Sequence, residues 1–148
     1  MLLKLLIILH TLGATVWTGG HLVLAMTVLP RALKNRDPEP IHQFEEYFEG
    51  FGLAALVLQA ITGLWLTWIY FPGFQSLFAF ESYLSVYIGI KLLLLLSTLA
   101  LAIHARFFII PNLTQETLSA LAYHIVGVTT LAVLFVVIGA GIRVGGLG

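Results

Sequence analysis

The stretch HTLGATVWTGGH, residues 10–21, lies inside an apolar run that extends from about Leu3 to Leu29. A run of that length exceeds the roughly 20 residues a helix needs to cross a bilayer. Eleven residues are almost three whole turns, so His10 and His21 share one helical face about 16 Å apart. Ala14 and Trp17 fall on the same face. Gly13 and Gly20 border it and leave room for a second helix or a flat cofactor to come close. The segment therefore offers two imidazoles at two depths on one inward stripe.

Three further runs, about Phe44–Tyr70, Tyr83–Ile110 and Leu118–Arg143, are also long enough to span. Backbone groups in a bilayer must bond within their own segment, so each run reads as a helix. The breaks PRALKNRDPEP (30–40), FPGFQSLFAFES (71–82) and PNLTQET (111–117) carry the proline, glycine and polar residues expected at helix ends. The expected fold is all-α, an integral membrane four-helix transmembrane bundle of up-down topology, with residues 1–148 as a single domain. The first run is too long for a signal peptide and lacks a small-x-small cleavage site, so it reads as a retained helix.

Composition narrows the function. Hydrophobic residues make up 59% of the chain and charged residues 9%, against about 25% charged in soluble domains. Net charge is zero, which leaves no basic field for nucleic acid. The absence of cysteine excludes disulfides and thiolate metal sites. Met1 and Met26 are the two methionines, too few for a thioether-lined conduit for cuprous ion.

Lysine and arginine in short loops set orientation. Arg31, Lys34, Arg36 and Arg106 fall on the side of the first and third loops, against Lys4 and Arg143 on the other. Both termini are therefore expected outside, and a bacterial inner membrane is the expected location. On this frame His21, Glu49, His104 and His124 lie within about one helical turn of a common inner depth, one from each helix. His10 and Lys91 form a sparser outer tier. His42, Glu45 and Glu46 read as a solvated first turn, Arg106 and Arg143 as interface anchors, and Trp65, Trp68 and Tyr70 as an aromatic belt.

Ionisable groups within a membrane are costly and usually mark function. One intramembrane histidine is often only a hydrogen-bonding link between helices; three with a glutamate at one depth favour a site. Thiol-free and histidine-rich, the tier suits heme iron, copper(II) or another imidazole-binding metal. No nucleophile stands at a fixed relation to it, and no dinucleotide, Walker or zincin motif occurs.

Leu9-His10, Trp17, Gly19-Gly20 and Leu29-Pro30-Arg31 resemble the first helix of CopD-type membrane proteins, the family named for copper resistance. They are also similar to HemJ-type protoporphyrinogen oxidases, small four-helix proteins that bind heme b. Thr62-Gly63-Leu64, Lys91-Leu92 and AIHARFFIIP (102–111) look like the same families. The resemblance implies that His10 is a heme ligand, with His104 or Lys91 near the site. His124, the ending GAGIRVGG (139–146) and the extra His21 depart from the HemJ pattern and favour the CopD side.

Four readings follow. In the first, a membrane redox protein holds heme b between His21 and His104, with His10 and Lys91 in a second position. In the second, His21, His104 and His124 bind non-heme copper, with Glu49 as a fourth ligand. In the third, an oxidase acts on a porphyrinogen or quinol. In the fourth, the polar residues only join helices in a scaffold subunit. The glycine-bordered stripe suits a flat ligand, so heme b is the favoured cofactor and copper the alternative or an addition in a different tier. The bilayer is the expected environment, with a quinone, porphyrinogen, redox protein or second copy as candidate partners.

Overall fold

The computed structural model describes residues 1–146. Four helices dominate: α1 Leu2–Asn35, α2 Glu39–Tyr70, α3 Tyr83–Asn112 and α4 Leu118–Val144, each long and apolar enough to cross a membrane. No strand occurs among the described residues. The all-α four-helix architecture is the one expected.

The boundaries differ most at the first break. Helix continues through Pro30 to Asn35 and resumes at Glu39, leaving a three-residue turn. Proline lacks an N–H and its ring clashes with the carbonyl four residues back. Here Leu24–Val28 widens into a π turn, and the Leu29 N–H donates to the Leu24 carbonyl, five residues back. The helix can therefore absorb Pro30 instead of ending there. The same device recurs in α3, where Ala105–Ile109 is a π turn ahead of Pro111 and the Ile110 N–H donates to Ala105. Pro40 sits in the first turn of α2, where a missing N–H costs nothing. Arg36 takes the left-handed conformation that ends α1, and the Asp37 carboxylate accepts from the Glu39 N–H at 3.0 Å.

Packing runs in the order α2, α1, α4, α3. The contacts of α1 with α2, α4 with α3, and α1 with α4 are extensive, whereas α2 and α3 stand apart. Gly13 permits the close α1–α2 approach, since a Cβ there would lie 3.1 Å from the Ala55 carbonyl oxygen. The α1–α4 seam is tied by hydroxyls: Thr18 donates to the Ala132 carbonyl at 3.4 Å and Thr129 to the His21 carbonyl at 3.2 Å. Leu24, Leu29, Ala32, Ile41, Ile109 and Leu121 pack at the end carrying the first and third loops. Trp17, Ala55, Leu56, Val128 and Ala132 fill the middle. Phe71, Leu77 and Ile88 close the opposite end, where the second loop folds back over the bundle.

Candidate functional site

The expected outer tier divides between two helix pairs. His10 Nδ1 lies 2.9 Å from Thr62 Oγ1. That hydroxyl already donates to the Leu58 carbonyl at 2.6 Å, so His10 Nδ1–H is the donor and Nε2 keeps its lone pair. The ring rests on Gly63, where a Cβ would approach Cε1 to 3.0 Å. Lys91 reaches the opposite pair: its Nζ stands 3.4 Å from where a Gly139 Cβ would be. No hydrogen bond or salt bridge joins Lys91 to His10.

The inner tier is more closely knit, though not as one ligand set. His124 Nδ1 lies 2.9 Å from the Ala120 carbonyl, which can only accept, so Nδ1 carries the proton. His124 Nε2 is then the acceptor for His104 Nδ1–H at 3.0 Å. The two rings are nearly parallel, at 10°, with centroids 5.0 Å apart. The chain of donors leaves His104 Nε2 with an open lone pair. His104 is exposed, while His124 is half-buried, and Phe108 stacks on the His104 ring.

His21 follows the same rule on α1. Its Nδ1 donates to the Trp17 carbonyl at 2.9 Å, and Nε2 stays open. Trp17 lies against the His21 ring with centroids 4.2 Å apart, and Phe48 meets it edge-on at 6.1 Å. Glu49, expected as a fourth ligand, is instead engaged by Arg106 at 3.0 Å, with both side chains about half exposed. Arg106, read as an interface anchor, thereby spans from α3 to α2. No three His, Cys, Asp or Glu side chains among the described residues are close enough together to hold a metal ion. The structure pairs His104 with His124 and leaves His21 and Glu49 with other partners.

The gap between α2 and α3 is a cleft of about 460 Å³. His21 and Trp17 of α1 and His124 of α4 stand on its walls, with Glu45, Glu49 and Arg106 also lining it. Glu45 therefore belongs to the cleft and is half-buried, where its position had suggested a solvated first turn. Two buried polar atoms have no partner among the described residues, Trp17 Nε1 and Thr98 Oγ1. Sequence reading placed Trp17 on the histidine face but held no sign that its N–H is unpartnered, since that depends on what the other helices supply.

The glycines do not form a slot for a flat ligand. A Cβ at Gly20 would collide with the Phe48 ring, and one at Gly52 would fall 2.8 Å from Phe48 Cε1. The Phe48 ring fills the notch between α1 and α2. Gly63 is taken up by His10, and Gly19 faces open space. The stripe expected to admit heme b is filled instead: Gly13 makes room for the neighbouring helix and Gly20 for the Phe48 ring.

A family model described as CopD, copper resistance protein D, matches residues 42–142. No curated protein and no solved structure matches the chain.

Proposed function

The chain belongs to the copper resistance protein D family, and from that premise we propose that it binds copper within the membrane through His104 and His124, with His21 as a further station. The family membership and the four spanning helices make it a copper-linked integral membrane protein. The observation that carries the residue-level reading is the His104–His124 pair, held at 3.0 Å. Imidazole nitrogen suits copper, and a thiol-free chain with two methionines has few softer ligands to offer it.

The hydrogen bonds prepare the ligands. A metal-bound histidine usually donates its other ring N–H to a carbonyl or carboxylate, which fixes the tautomer and orients the ring. His21 and His124 have that carbonyl at Trp17 and Ala120. His104 would hold copper through its open Nε2, and His124, oriented by the Ala120 carbonyl, would supply the neighbouring imidazole. Glu45 lines the cleft beside it, while the charge of Glu49 is paired with Arg106. Orientation with both termini outside places this tier towards the cytoplasm.

Heme b loses the glycine-bordered space that suggested it, because Phe48 fills the notch at Gly20 and α2 packs on Gly13. Among the described residues, His21 Nε2 is the open imidazole nitrogen on the cleft lining, and the open His104 Nε2 belongs to a residue outside that lining.

The test is metal analysis and an absorption spectrum on one detergent-purified sample. About one copper per chain, lost in His104→Ala and His124→Ala, is the expected result. Copper content unchanged in both variants overturns the assignment. A Soret band that shifts on reduction would restore heme b, and with it the porphyrinogen- or quinol-oxidising reading.

A further inference from the structure

We propose that the cleft between α2 and α3 binds a hydroquinone-type ring that enters sideways from the bilayer, a function beyond copper binding and independent of it. The first observation is architectural. In a bundle whose other neighbours pack along their length, α2 and α3 do not touch extensively. Glu49 and Arg106 reach across the gap. Leu53 and Ile103, at 57% and 54% exposure, flank the opening. An opening on that side faces hydrocarbon, so its occupant is lipid-soluble.

The second observation is size and lining. A volume of about 460 Å³ lies within the usual range for small-molecule sites. Leu53, Leu56, Leu99 and Ile103 supply apolar walls, and the Trp17, His21 and Phe48 rings make the back aromatic.

The third observation selects the polar group. The indole N–H of Trp17 is buried, at 7% exposure of the residue, and has no acceptor among the described residues. An orphaned buried donor costs about 1–3 kcal/mol, which a ligand oxygen would recover. His21, whose ring lies against that indole with centroids 4.2 Å apart, carries an Nε2 lone pair with no donor among the described residues. One group that accepts from Trp17 and donates to His21 satisfies both, and a ring hydroxyl does so. An acyl chain satisfies neither. A quinone carbonyl can only accept, so the reduced ring binds more tightly than the oxidised one.

The experiment uses the full chain in lipid nanodiscs, with Trp65→Phe and Trp68→Phe leaving Trp17 as the single tryptophan. The probes are decylubiquinol and its dimethyl ether, which lacks the donor hydroxyls. Saturable change in Trp17 emission is expected, about tenfold weaker for the ether. In His21→Phe the two probes become equivalent. Because the chain has no cysteine, Ile103→Cys gives a unique label site at the mouth. A bulky maleimide there should abolish binding, while the unlabelled variant binds normally. His104→Ala should lose copper and keep quinol binding, which separates this proposal from the copper reading. A response linear in probe, equal for both compounds and indifferent to labelling, means partition into lipid only and overturns the proposal.

Discussion

His104 Nδ1–H donates to His124 Nε2 across 3.0 Å, and His124 Nδ1–H donates to the Ala120 carbonyl. On the outer tier, Thr62 accepts from His10 while donating to Leu58. Thr62→Val removes the acceptor and should cost about 1 kcal/mol, read in denaturant titrations of the detergent-solubilised protein. A larger penalty accompanies Gly20→Ala, because Phe48 must leave its notch. About 1–3 kcal/mol is expected for such overpacking, and Phe48→Leu on the same chain should recover part of it.

At the scale of the element, the π turns explain why two helices run through prolines. Each widened turn inserts one extra residue, so everything beyond it is rotated by about 100° relative to an unbroken helix. Leu29 and Ala32 reach the inner cluster because of that rotation. Met26, at 74% exposure, makes little packing of its own. Its deletion should nevertheless displace Leu29 and Ala32 and abolish monodisperse expression. Deletion of Gln75 in the second loop should be tolerated far better. Size-exclusion profiles of the two deletions decide this. The proline rule that ended the first helix near Leu29 was a sound local rule, defeated by a ladder that shifts its partner by one residue.

For the whole molecule, the open side between α2 and α3 is the distinctive feature. The Glu49–Arg106 bridge joins the two helices across that side at 3.0 Å. Its effect is on width: Glu49→Gln should broaden the distance distribution between spin labels at Leu53→Cys and Ile103→Cys with little change in melting. A distribution identical to that of the charged pair would show that the bridge does not restrain the mouth.

Four spanning helices, their approximate bounds after Leu29, and the presence of intramembrane imidazoles were all determined by sequence. Hydrophobic run length and the cost of unpaired backbone in lipid act along a single segment. Depth followed as well, because rise per residue is local; it placed His104 and His124 near one level. Partner choice was decided only by the tertiary structure. Whether Gly20 receives a porphyrin or Phe48, whether Glu49 meets a metal or Arg106, and which helix pair is left open depend on rotation about each helix axis and on neighbour order. Among spanning helices, lipid is as apolar as their own side chains, so apolar periodicity carries little record of which face turns inward. That rotation is set by glycine notches, threonine links and π turns, whose consequences appear only when the helices are packed together.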